Sequence, residues 1–322
     1  MATSTRVLFI GGEGRSGSTV LERLIAAQPG TCAVGELKNL FERGVADGEL
    51  CGCGRGVRDC DFWAEVGRRL VGGWDTPAGR ELVAFFTRVN HRLQLPVILT
   101  GRGALVVRAR SVLADLYPII AEVSGSSLVI DSSKHPAWAY LLAGTEGIDL
   151  RVVHLVRHPS AVVHSWSSPV RRPHAGTGIG DSVMAAQSPV EVSIRWDVFN
   201  HLFRHLARRG IPTEIVRYED YVDDVDGTLR TCMALCGRSY RPASRMATGH
   251  GIAGNPSRFA AEGVRIERDD RWLDQMSVTR HLVVSALTWP TRLAYGYRAD
   301  RAAPVGPFPR LVRPAARSWT RR

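Results

Sequence analysis

The chain has 322 residues, 44% of them hydrophobic and 23% charged, which is enough to bury a sizeable core and excludes general disorder. Lysine and arginine total 42 against 31 acids, a net charge of +11 that fits either a polyanionic partner or a small, highly charged ligand. Much of the excess lies in the closing RADRAAPVGPFPRLVRPAARSWTRR, where no acid follows Asp300, so the global figure is no ground for inferring nucleic-acid binding.

In chain order, residues 7–30, VLFIGGEGRSGSTVLERLIAAQPG, read as a short apolar strand, a glycine-rich turn and an amphipathic helix over 18–27 closed by Pro-Gly. Further strands are expected at 127–131 (SLVID), 151–157 (RVVHLVR) and 213–219 (TEIVRYE). Each is rich in β-branched residues and almost continuously apolar, as strands covered on both faces are. Helical patterns lie between them, at 136–144, 160–167, 190–209 and 227–236, with a closing helix over 278–295. Strands alternating with helices imply right-handed crossovers and a parallel sheet.

The expected fold is therefore a three-layer α/β domain over 1–298, its central, mostly parallel sheet flanked by helices, with a basic Pro/Arg-rich tail over 299–322. Residues 51–127 lack a clear strand and read as a helical insertion. Residues 167–189, rich in Gly, Pro and Ser, read as a mobile loop beside the ligand cleft, and 251–270 are again loop-like. The apolar run 7–10 is too short for a secretory leader, and no stretch approaches the roughly 20 apolar residues of a membrane span. The expectation is a cytoplasmic chain whose basic tail can touch anionic lipid.

Ligands of such sheets bind beyond the carboxyl ends of the strands, and three polar clusters follow strand ends here: GEGRSGST, DSSKHP and RHPSAVVHS. They are expected to meet at one cleft. Gly12–Thr19 fits the phosphate-cradling pattern G-x-x-x-x-G-K-[ST] except that Ser18 stands where the lysine belongs. A loop running into a helix N-terminus offers backbone N–H groups and a positive dipole end, so Gly14, Arg15, Ser16, Gly17, Ser18 and Thr19 can hold phosphate oxygens without that lysine. Arg15 can fork two hydrogen bonds onto one phosphate or sulfate. The alternative is a glycine-rich turn with no ligand.

GRSGST after a strand, GE about twenty residues on, DSSKHP after a second strand and LVRHPSAVVHS after a third together resemble the sulfotransferases that use 3'-phosphoadenosine 5'-phosphosulfate (PAPS). CGCGRGVRDCDFW and GNPSRF resemble elements of bacterial members, so the resemblance spans most of 6–297. It implies PAPS as donor, 3'-phosphoadenosine 5'-phosphate (PAP) as product, and transfer to a hydroxyl of a small-molecule, glycolipid or carbohydrate acceptor, with no nucleic acid as partner and no metal required. It further implies that Arg157 and Ser165 clamp the 3'-phosphate and that the loop carrying Asn255 and Arg258 closes over it. Lys134 would be the cation at the leaving oxygen, and Glu36 the base. Read without the resemblance, Arg157 is also a surface arginine beside a Pro-Ser cap, Lys134 a solvated loop lysine and Glu36 a helix-start carboxylate. His135, His158 and His164 are reserve bases, though structural roles suit lone histidines better.

Cys51, Cys53 and Cys60 lie close together in a turn-rich segment. They could hold zinc with a fourth ligand from elsewhere, pack structurally or form a redox-sensitive pair; the C-x-C spacing is not the common C-x-x-C. Cys232 and Cys236, a helical turn apart, read as core. Two rival functions stand beside sulfuryl transfer. One is a phosphoryl-transferring kinase, because LVID ending at Asp131 resembles a magnesium-positioning strand. The other is a non-catalytic nucleic-acid or membrane binder driven by the basic charge.

Overall fold

The computed structural model of the chain describes residues 4–91, 94–172, 182–242, 246, 249–259 and 266–297. Strands β1 (Thr5–Gly11), β2 (Thr31–Ala33), β3 (Leu128–Lys134) and β4 (Ile148–Val156) belong to the main sheet. β5 (Val170–Arg172) and β6 (Ser182–Met184) form a separate antiparallel pair, and β7 (Thr213–Arg217) completes the main sheet. The five main strands run parallel in the order β2-β3-β1-β4-β7. Val7 pairs with Val129 on one side and Leu150 on the other, which puts the first strand at the centre.

Alternation along β1 shows why these strands are apolar throughout. Val7 and Phe9 enter one hydrophobic cluster, while Leu8 and Ile10 enter another on the opposite face. Each such fully buried side chain contributes roughly 1.5–3 kcal/mol. Between β1 and β3 lie α1 (Ser18–Ile25), α2 (Asp61–Val71), α3 (Pro77–Val89), α4 (Leu95–Thr100) and α5 (Ala104–Ser124). The last four lie within 51–127 and supply much of the first cluster through Trp63, Phe86, Leu113 and Tyr117.

Beyond β3 come α6 (Pro136–Ala143), α7 (Pro159–Trp166), α8 (Pro189–Arg208), α9 (Tyr218–Asp223) and α10 (Val225–Leu235). Pro136 and Pro159 sit in the first turns of α6 and α7, and the preceding histidines cap them. His135 accepts from the N–H of Ala137, and His158 from that of Ser160. Two of the reserve bases therefore serve as helix caps. Cys232 and Cys236 are buried in the second cluster.

Three expectations differ from the structure. β2 was not anticipated: its three residues carry no strand pattern, and it exists because it pairs with β3. Within 167–189 the antiparallel pair β5–β6 brackets residues 173–181, which lie outside the described residues. After α11 (Trp272–Gln275), the closing helix is two, α12 (Val278–Thr288) and α13 (Thr291–Ala294), because Pro290 has no N–H to continue the ladder. The basic tail over 299–322 also lies outside the described residues. No described helix is long and apolar enough to cross a membrane.

Candidate active site

The three polar clusters that follow β1, β3 and β4 meet at the carboxyl edge of the sheet around a cavity of about 420 Å³. Gly14, Arg15, Gly17, Ser18, Thr19, Glu36, Lys134, Arg157, Ser165 and Asn255 all line it. Backbone geometry makes the loop. Gly12 has φ +136°, and a Cβ there would stand 2.2 Å from the Leu155 carbonyl oxygen of β4. Gly17, at φ +86°, caps α1, and Leu21 N–H returns to its carbonyl. Ser16 is buried and turned inward, its hydroxyl donating to the Glu13 carbonyl at 2.8 Å, and it is not among the residues lining the cavity.

Two non-glycine residues in this region are held in the left-handed region, Arg15 at φ 68° and Lys134 at φ 65°. Such conformations cost on the order of 1–3 kcal/mol each and cluster where a side chain must be aimed. Both aim into the cavity. The Gly12 N–H donates to the Lys134 carbonyl at 3.1 Å, tying the glycine loop to the lysine. Arg15 lies over Trp166 with 5.0 Å between guanidinium carbon and ring centroid, and Arg195 of α8 lies 5.5 Å over the same ring. Arg195 also forks onto Glu13 at 2.8 and 2.7 Å, fixing the loop from outside.

Arg157, at the end of β4, is 5% exposed. Its Nη1 donates to the Arg15 carbonyl at 2.9 Å, and its Nη2 to the Asp269 carbonyl at 2.9 Å with the Asp269 carboxylate 3.3 Å away. The guanidinium stacks 4.2 Å over Tyr218, and among the described residues its buried Nε has no hydrogen-bond partner. Trp166 Nε1 and the Tyr221 hydroxyl are likewise buried polar atoms with no partner among the described residues, and both residues line the cavity. Asp269 is pulled down to about 2, first by its hydrogen bond from Arg271 and then, against burial, by Arg157.

Glu36 and Lys134 form an ion pair, Oε1 to Nζ 2.5 Å, with the second carboxylate oxygen accepting from Asn39 Nδ2 at 2.8 Å. Burial pushes the Glu36 carboxyl up, but attraction and hydrogen bonding from Lys134, with Arg43 and Lys38 beyond, outweigh it. The carboxyl is held below its ordinary range, so it is ionised at neutral pH. His135 lines the same cavity, yet burial pushes its imidazole down to about 3, which keeps it neutral. His158 stacks on Trp272 and His164 lies on α7; neither lines the cavity.

Arg258 does not line this cavity. Its Nη2 donates to buried Glu49 at 3.0 Å and its Nη1 to the Gly254 carbonyl at 3.2 Å; the Glu49 carboxylate also pairs with Arg43 at 2.7 Å, as a charge buried to 1% exposure requires. Asn255 does reach the cavity, and its carboxamide oxygen accepts from Ser257 N–H to shape the short turn Pro256–Phe259.

Several cavity residues gave no signal in the sequence. Lys38 and Arg43 arrive on the irregular turns after Glu36, and Tyr218 and Asp269 come from segments with no motif. The cations Arg15, Lys38, Arg43, Lys134 and Arg157 there outnumber the acids Glu36, Glu267 and Asp269. Asp131 does not reach the cavity: fully buried, it accepts from the Tyr117 hydroxyl at 2.5 Å, from Trp138 Nε1 at 3.1 Å and from the hydroxyl and N–H of Ser133.

The parallel order, the glycine loop after the central strand and the cleft at the sheet edge belong to an α/β fold that this chain shares with sulfotransferase domains of known structure. The sulfotransferase domain of the Synechococcus PCC 7002 olefin synthase superposes with a TM-score of 0.53 at 20% identity, covering 92% of this chain and 97% of that domain. The sulfotransferase domain of the curacin biosynthetic pathway aligns over 89% of this chain and 98% of its own, at 14% identity and a TM-score of 0.44. No family model matches the sequence, and no curated protein is significantly similar to it.

Proposed function

We propose that the protein is a PAPS-dependent sulfotransferase that moves a sulfuryl group in line onto a hydroxyl of a small-molecule, glycolipid or carbohydrate acceptor, in the cytoplasm. The observation that carries this reading is the joining of Arg15 and Arg157 in one cavity by the bond from Arg157 Nη1 to the Arg15 carbonyl. Two arginines lining one cavity suit a ligand with two anionic ends. The buried donors Arg157 Nε, Trp166 Nε1 and Tyr221 OH, and the aromatic walls, suit a phosphorylated nucleoside, and the volume falls in the usual ligand range.

In this reading the loop 12–19 and Arg15 hold the 5'-phosphosulfate, while Arg157 and Ser165 hold the 3'-phosphate. Sulfuryl transfer, like phosphoryl transfer, passes through a loose transition state with charge gathering on the leaving oxygen. Lys134 supplies the cation for that charge. Glu36 takes the acceptor proton late, once bond formation has acidified the hydroxyl, because an ionised carboxylate is a weak base towards a free alcohol. The resting ion pair helps keep Glu36 ionised, the state its task needs.

The kinase alternative is disfavoured by Asp131, whose carboxylate is enclosed by Tyr117, Trp138 and Ser133 rather than turned to the cleft. Thermal shift separates the two. PAP is expected to stabilise the chain without magnesium. Stabilisation only by ATP with magnesium would reverse the assignment. Radiolabelled PAPS incubated with fractionated host extract then identifies the acceptor.

A further inference from the structure

Away from the cleft, three thiols and an imidazole gather at one point. Cys51, Cys53 and Cys60 come from the turns that lead into α2, and His250 lies 190 residues beyond Cys60. The four potential ligand atoms lie within 4.8 Å of one another. Cys53 and Cys60 Sγ are 3.6 Å apart, and His250 Nδ1 is 3.3 Å from Cys60 Sγ and 3.7 Å from Cys51 Sγ. Tetrahedral zinc, with Zn–S of about 2.3 Å and Zn–N of about 2.0 Å, separates two sulfurs by about 3.8 Å and a sulfur from a nitrogen by about 3.5 Å. All three cysteines are free thiols. We propose that Cys51, Cys53, Cys60 and His250 form a structural zinc site.

The surroundings are built to hold these atoms. Cys51 N–H donates to the Arg55 carbonyl and Gly54 N–H to the Cys51 carbonyl, each at 2.8 Å, folding the C-x-C turn on itself. Cys60 directly precedes α2, where the helix dipole favours a thiolate. The His250 ring stacks on Phe62 at 4.5 Å, and its carbonyl accepts from Trp63 Nε1 at 2.8 Å. Four protein ligands leave no open position, which marks a structural rather than a catalytic site. Cys51 and Cys60 are buried while Cys53 is exposed, so the ion can enter from that side. Binding exchanges three thiol protons, released to solvent, for Zn²⁺.

The site explains how the loop after residue 249 is held. That loop has little regular structure of its own, yet its Ile252 accepts from Glu36 N–H at 2.8 Å and donates to the Val34 carbonyl at 2.9 Å, and its Gly254 and Asn255 line the cleft. Zinc would cross-link it to the segment 51–60, beside the existing bond from Gly52 N–H to the Gly251 carbonyl. The inference does not depend on the donor or the reaction.

The test uses the full chain purified under reductant without chelator. Elemental analysis is expected to find about one zinc per chain, and cobalt exchanged into it should give the intense visible bands of a four-coordinate thiolate site. Cys53→Ser changes an exposed side chain, so the fold should persist by circular dichroism while retention of zinc against a chelator falls at least about tenfold. A folded, fully reduced chain that takes up neither zinc nor cobalt overturns the proposal. So does Cys53→Ser holding zinc as tightly as the parent, or a thiol count showing two of the three cysteines joined as a disulfide.

Discussion

Arg157 donates from Nη1 to the main-chain carbonyl of Arg15 at 2.9 Å, so the end of β4 and the glycine loop after β1 are joined through the residues that carry the two cationic groups. A lysine at 157 has no planar fork with which to hold that carbonyl and a phosphate together. Arg157→Lys and Arg157→Ala are expected to weaken PAP binding by about 1.5–3 kcal/mol, read by isothermal titration. Unchanged affinity in both would separate Arg157 from the ligand.

Asp269 sets its carboxylate 3.3 Å from the same guanidinium and lines the cavity. A phosphate arriving at Arg157 competes with that negative charge. Asp269→Asn keeps the main-chain bond and removes the charge, and PAP is expected to bind several-fold more tightly. Weaker binding would mean that the carboxylate positions the arginine rather than competing with its ligand.

Glu36 sits 2.5 Å from Lys134. Glu36→Gln is expected to lower turnover by about 10²-fold or more with little change in PAP affinity. Because Lys134 helps hold the carboxyl below its ordinary value of 4.5, the rate should stay level across neutral pH as far as Glu36 is concerned. Lys134→Met removes that attraction and leaves the burial, so any residual activity should show its acid limb shifted to higher pH. An unshifted limb would exclude Glu36 as the titrating group.

Glu22, on α1, underlies the loop: its carboxylate accepts from Ser132 Oγ and Gly35 N–H, each at 2.6 Å. Burial, opposed by these bonds, lifts it from 4.5 to about 7. The folded chain therefore holds a proton that the unfolded chain has released between those values, and stability falls as pH rises through that window and levels off above it. Glu22→Gln should flatten the slope, a difference of up to about 3 kcal/mol. Urea unfolding at about pH 5 and about pH 8 measures it, and an undiminished slope would assign the pH dependence to another group.

Much of the layout was legible in the chain itself. β1, β3, β4 and β7 are short apolar runs, three of them followed by polar clusters, and a strand buried on both faces leaves that signature without any knowledge of its neighbours. The glycine loop was legible for a similar reason, since positive φ is a demand that local sequence must meet. β2 was not, because three residues reading TCA become a strand only through their partner in β3.

Residue identity by itself determined which groups could carry charge, turn the backbone or ligate a metal; tertiary structure alone decided which of them meet. Arg258 and Arg43, far apart in the chain, meet at one buried carboxylate, Glu49. Lys38 and Arg43 carry no motif, yet irregular turns deliver them to the cleft. Three cysteines stood together from the outset, whereas His250, from far along the chain, reached them only when the fold closed. Charge and backbone geometry act over a few bonds, while contacts between distant segments depend on the packing of the whole sheet and its helices.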